Sequence, residues 1–291
     1  MINKIKMKRT KQLIILLLIG ISIIGNAQEM IPKKNLALLK KNLNEKEAIV
    51  WYLGHCGYAV KTKSKLLIFD YQENVKMPDR STVNPPANPS LFNGWVNPEE
   101  IKDLDVVVFV SHSHGDHYDT IIFNWEKTVK KINYVFGWQE KDGGNYLSLP
   151  APRKEAKLDG VEIYTVNSHH SGVPESGFLV KVDGLTIFHQ GDYIGRMGEE
   201  APYTITDDLK CLKTKYETVD LLFTHAGTWV PQLEMMESLK PNVAFPMHYG
   251  YREEKYTEYL IDVKNKVKDI IFYIPQKKGD FCEYRNGVLV K

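Results

Sequence analysis

A chain of 291 residues, 43% hydrophobic and 25% charged, is long enough for one large domain with a sizeable core, and no low-complexity linker divides it. Five of its 38 Lys and Arg and none of its 36 Asp and Glu fall in residues 1–27, so the remainder carries a net charge of −3 and nothing recommends nucleic acid as a partner. Three scattered cysteines, Cys56, Cys211 and Cys282, are no disulfide framework.

Residues 1–27 have a basic start (Lys4, Lys6, Lys8, Arg9, Lys11), an apolar run from Leu13 to Ile24, and small residues Gly25-Asn26-Ala27 before Gln28. This is the pattern of a secretory signal peptide, with an N-terminal membrane anchor as the rival reading. The expectation is a single domain over 28–291, exported to a periplasm or secreted, with no stable membrane association once the signal is removed.

Residues 33–47 have the spacing of a short amphipathic helix, with Leu36, Leu39 and Leu43 on one face. Residues 48–53 read as a strand, Gly54-His55-Cys56-Gly57 as a tight turn, and residues 58–61 and 66–70 as a hairpin. Residues 74–98, rich in proline and asparagine and without periodicity, read as a long irregular loop. Its Phe92 and Trp95 either form a lid over a site or belong to a surface excursion without a role. Asn97-Pro98-Glu99-Glu100 has an Asn cap, Pro at the first position and acids in the first turn, which start a helix.

Val106 to Val110 is the apolar run of a strand buried on both faces, and it ends in Ser111-His112-Ser113-His114-Gly115-Asp116-His117. His112 and His114, two apart in extended backbone, share a face; Gly115 permits a sharp turn, and Asp116 and His117 leave in a new direction. Two neighbouring metal pockets follow, one on His112 and His114, the other on Asp116 and His117. Imidazole and carboxylate donors without thiolates suit a catalytic zinc, manganese or iron site rather than a structural zinc knot.

This H-x-H-x-D-H signature after a buried strand resembles that of the metallo-β-lactamase superfamily. The opening WYLGHCGYAVKTKSKLLIFD is similar to the branch holding ascorbate-6-phosphate lactonase-like and N-acylphosphatidylethanolamine phospholipase D-like proteins. The resemblance implies an α/β fold: a four-layer αβ/βα sandwich of two mixed sheets with helices on the outer faces. It implies that Asp70 orients a ligand loop and that His55 faces the metal cleft.

Beyond the motif, residues 120–131 read as a helix, 132–138 as a strand and 139–157 as loop. Residues 161–166 form a strand running into Asn167-Ser168-His169-His170-Ser171-Gly172, where the superfamily places its third histidine for the first metal. His170, followed by serine as in the resembling branch, is preferred; His169 then stands behind it or faces away. Residues 177–182 and 185–189 pair across Asp183-Gly184, a two-residue turn signal. Gly191-Asp192 matches the aspartate that bridges both metals in the superfamily, and His189 before it reads as packing. Residues 206–215, 233–239 and 252–268 read as helices, and 219–223 and 242–246 as strands. His225, at the end of one strand, is placed to contact substrate, and His248, at the end of the other, matches the last ligand of the second metal. All nine histidines lie between positions 55 and 248.

By the resemblance, His112, His114 and His170 hold one divalent cation, Asp116, His117 and His248 the other, and Asp192 bridges, with zinc preferred over manganese or iron. A bridging hydroxide would attack a small-molecule substrate, with Asp116 also orienting the water. The expected reaction is hydrolysis of a small ester or lactone, phosphorylated or not. The alternatives are a phosphodiesterase acting on a lipid or nucleotide, and a metal-binding module without catalysis.

Overall fold

The computed structural model describes residues 33–73, 84–151, 153–167, 173–192, 204–227, 230–250 and 252–290. The predicted signal segment, His169 and His170 lie outside these residues. A first helix, α1 (Lys33–Leu39), is shorter than its leucine spacing predicted. Asn44 and Glu47 close a turn there, and Lys46 takes a left-handed backbone (φ 60°), which no helix continues through.

The strands in chain order begin with β1 (Glu47–Gly54), β2 (Gly57–Lys61), β3 (Leu66–Phe69), β4 (Asp105–Val110), β5 (Lys131–Phe136) and β6 (Tyr146–Ser148). There follow β7 (Glu155–Leu158), β8 (Val161–Asn167), β9 (Ser176–Val182), β10 (Leu185–His189), β11 (Leu221–His225) and β12 (Val243–Met247). The last are β13 (Ile271–Phe272), β14 (Phe281–Arg285) and β15 (Val288–Val290). One sheet runs β15-β14-β1-β2-β3-β4-β5-β6 and the other β13-β12-β11-β10-β9-β8-β7. Both are mixed: β3 to β6 and β10 to β13 pair in parallel, and the remaining neighbours pair antiparallel.

Alternation of side chains puts Tyr52, Tyr58, Phe69 and Phe109 of the first sheet against Phe178, Phe223 and Phe245 of the second, all buried. Rings meet across the interface, Tyr58 with Phe223 at 4.6 Å and Phe109 with Phe178 at 5.4 Å. Helices α2 (Pro98–Ile101), α3 (Ile205–Lys213), α4 (Val230–Leu239) and α5 (Glu254–Lys264) complete the layers. The last three add Leu212, Met236 and Tyr256 to the same core. This is the two-sheet α/β sandwich that the resemblance implied.

Several local expectations are realised by the chemistry that suggested them. Asn97 caps α2 by accepting from the Glu99 N–H (3.0 Å). Asp183 and Gly184 both have positive φ, as a two-residue hairpin turn requires. Others are corrected. Thr120–Lys127 is a 3₁₀ helix whose buried residues Ile122 and Trp125 stand three apart, the 3₁₀ period. Residues 139–157, read as loop, contain β6 and most of β7, which are only three and four residues long; β7 alternates Glu-Ala-Lys-Leu, but over too few residues to stand out. Phe92 and Trp95 do not lie over the metal-type residues. Phe92 packs on Trp51 (5.6 Å) and Phe281 (5.4 Å), and Trp95 carries Lys278 Nζ at 3.7 Å over its ring.

Candidate metal centre

The ends of β3, β4, β10, β11 and β12 meet at one edge of the sandwich, and Asp70, closing β3, organises what they carry. Its buried carboxylate accepts from the Ser111 N–H (2.7 Å), the Ser111 hydroxyl (2.8 Å) and His117 Nδ1 (2.8 Å). A carboxylate only accepts, so His117 carries its proton on Nδ1 and turns Nε2 inward. Burial alone would raise the Asp70 carboxyl, but His189 and His117 beside it hold it below the usual range.

Asp192, on the turn after β10, brings the histidines together. Its Oδ1 lies 3.0 Å from His117 Nε2, and its Oδ2 lies 3.2 Å from His248 Nε2 and 3.9 Å from His112 Nε2. His114 packs its ring on His112 at 4.6 Å; both lie past the end of β4, where the chain bends, so their nearness does not come from strand alternation. Asp116 Oδ2 stands 3.9 Å from His248 Nε2 and 4.0 Å from His117 Nε2. One donor atom each from His112, Asp116 and His117 falls within 4.8 Å of the others, and so does one each from His55, Cys56, His117 and His248.

These residues fit a metal by their donor set and their charge. Burial opposes a charged His117, yet the Asp192, Cys56 and Asp70 groups around it raise its pKa well above the ordinary imidazole value. Asp192 is held well below the carboxylate range by His117 and His248, against the effect of burial. Asp70 and Asp192 stand on either side of the His117 ring, and their negative charge favours a cation there.

His55 is not arranged as a simple ligand. Its Nδ1 accepts the Gly250 N–H (2.9 Å), so its proton is on Nε2, which donates to Asp116 Oδ2 at 3.3 Å. Burial, the largest cause, brings its pKa down to about 4, so the ring is neutral. Asp70 (φ 44°), His55 (φ 49°) and His248 (φ 70°) all take left-handed backbone beside the site, strain that the surrounding contacts must hold. His225 is buried and packs on His248 at 4.4 Å, so it braces that ring rather than lining an open surface; burial pushes its pKa down to about 3. His189 stacks on Phe69 at 5.1 Å and Nε2 donates to the Cys56 carbonyl (3.2 Å), a packing role.

One sequence argument is corrected: Gly115 has neither a positive φ nor a neighbour that a Cβ would meet. The turn is made by the His114 carbonyl, which accepts from the His117 (3.0 Å) and Tyr118 (2.9 Å) N–H groups. Two residues at the site escaped the sequence reading as site groups, Glu175 and Ser111. The available signal for Glu175 was a carboxylate placed directly before a mostly buried strand whose residues 178–180 are apolar.

A family model for the β-lactamase superfamily domain matches residues 48–248. The chain belongs to the β-lactamase superfamily. It is 28% identical over 222 residues to a UPF0173 metal-dependent hydrolase of Thermococcus kodakarensis, covering 69% of this chain and 84% of the relative. With a UPF0173 metal-dependent hydrolase of Thermofilum pendens the identity is 26% over 250 residues, 80% of this chain and 97% of the relative. Among solved structures, Igni18, a metallo hydrolase of Ignicoccus hospitalis, aligns with a TM-score of 0.55 at 17% identity, over 82% of this chain and 99% of its own. That likeness speaks for the fold.

Proposed function

We propose that this superfamily member is a metal-dependent hydrolase that works with two divalent cations, zinc before manganese or iron, on a small ester or lactone. The observation that carries the reading is Asp192: one buried carboxylate reaches His117, His248 and His112, residues of both proposed ligand groups. In this reading His112, His114 and His170 hold the first cation, Asp116, His117 and His248 the second, and Asp192 serves both. Bound there, the cations supply Lewis acidity and a water acidic enough to ionise near neutral pH. Asp116 is a third exposed, and His55 steadies its Oδ2, leaving its carboxylate placed to orient the attacking water. The ester or lactone class is supported by the resemblance of the opening segment to lactonase-like proteins.

Elemental analysis of purified protein is expected to give about two transition-metal equivalents per chain. His248→Ala is expected to lose one of them, and His170→Ala, but not His169→Ala, to lose the other. A single equivalent in the wild type with no change in His248→Ala would refute the two-cation assignment. For the reaction, zinc-loaded protein is expected to turn over a lactone or simple ester faster than a phosphodiester or a chromogenic β-lactam. A phosphodiester hydrolysed fastest would replace the ester reading, and no turnover of any would favour a binding module.

A further inference from the structure

Glu175 immediately precedes β9, and its side chain is completely buried. Its Oε1 accepts the backbone N–H of Asp192 and lies 3.4 Å from His112 Nδ1. Ser111 Oγ, which donates to Asp70, lies 3.0 Å from the same Nδ1. The space around Glu175 is kept for it: Gly191 has φ 63°, and a side chain there would collide with Glu175 Oε1. The next residue, Ser176, donates its N–H to the Ser111 carbonyl (3.2 Å) and its hydroxyl to the Gly137 (2.9 Å) and Leu149 (3.1 Å) carbonyls. Glu175 therefore stands where the second sheet is fastened to the first, touching a residue from each.

A buried carboxylate is a costly way to satisfy one backbone N–H, which a neutral acceptor serves as well. Glu175 Oε2 is buried with no hydrogen-bond partner among the described residues, so the charge is not used to complete a second bond there. What the charge does have is an imidazole 3.4 Å away whose other nitrogen faces Asp192. We infer that Glu175 is a positioning residue that holds His112 and the Asp192 turn in a common register. A carboxylate behind Nδ1 keeps the proton on that nitrogen, points Nε2 into the site and makes it a better donor to a cation. The same oxygen fixes the backbone from which the Asp192 carboxylate extends. This rests on the proposal that His112 and Asp192 hold metal.

The test is Glu175→Gln, which keeps the shape and one acceptor but removes the charge, with Glu175→Ala beside it. Zinc affinity by chelator competition, the absorption spectrum of the cobalt-loaded protein and thermal melting are measured against the wild type. Glu175→Gln is expected to melt near the wild type, bind zinc about 10- to 100-fold more weakly, and shift the cobalt bands; Glu175→Ala is expected to do more of each. Wild-type zinc affinity and cobalt bands in both variants would overturn the inference alone. A Glu175→Gln chain that fails to fold would also overturn it, because a residue that only positions ligands leaves the fold standing. A wild-type chain that binds no zinc or cobalt would overturn the metal proposal together with it.

Discussion

Asp192→Asn is expected to lose hydrolytic activity about a hundredfold or more, the loss that follows when a few kcal/mol of transition-state stabilisation is removed. Asp192 offers an oxygen to His117 at 3.0 Å and another to His248 at 3.2 Å, and no other carboxylate lies so close to both among the described residues. Asparagine has the same shape but supplies one neutral acceptor and no charge. Two cations held by it would be closer to uncompensated, so one should leave or the pair should spread. The fold should survive, because the residue stands on a turn at the sheet edge, outside the aromatic interface of Tyr58, Phe109, Phe178 and Phe223. Turnover on the substrate found by screening, metal content and melting temperature measured together decide it. Unchanged turnover in a folded, metal-loaded Asp192→Asn chain would contradict the two-cation mechanism.

Asp70→Asn is expected to damage stability and metal binding together. The carboxylate accepts three hydrogen bonds in a buried position, and leaving buried partners without their charge costs about 3–5 kcal/mol. Asparagine can still accept the Ser111 N–H, but its amide then faces His117 Nδ1 with N–H groups. Two donors cannot pair, so His117 is driven to the other tautomer, with its proton on the nitrogen that faces Asp192. That nitrogen is then blocked to a cation, and affinity is expected to fall about 10- to 100-fold. The effect has a pH signature. Asp70 is held below the ordinary carboxylate range, so its contribution is complete above an unfolded value of about 3.9 and is lost as pH falls through the folded one. The difference in melting temperature between wild type and Asp70→Asn should narrow as pH drops below about 4. A variant that melts and binds zinc like the wild type at neutral pH would show that Asp70 does not organise the site.

Much of this protein is legible in its amino-acid sequence, for reasons that lie within a few residues of chain. The five apolar β-formers before Ser111 are the run expected of a strand buried on both faces, and β4 is one. Asp183-Gly184 supplies the two positive φ angles of a hairpin, and Asn97 with Pro98 starts a helix. The strand end delivers the polar cluster that begins at Ser111, directly after Val110. These are consequences of backbone period and local hydrogen bonding, which a sequence displays directly. Gly115 shows the hazard of reading even local chemistry by residue type: glycine permits a tight turn, and here the His114 carbonyl makes one that needs no glycine.

The tertiary structure decided what depends on residues far apart in the chain. That Asp192 stands between His117 and His248, and that Glu175 reaches both His112 and the Asp192 backbone, follows from two sheets packing face to face with their strand ends at one edge. The tautomer of His55 is set by the Gly250 N–H, which no motif around residue 55 could reveal. Phe92 and Trp95 are open to a lid or a bystander reading until the outer face of β1 offers Trp51 as a partner. The composition of the polar turn is local, and so it is written in the order of residues. Its protonation, orientation and charge come from neighbours supplied by other strands, and these exist only once the sheets have met.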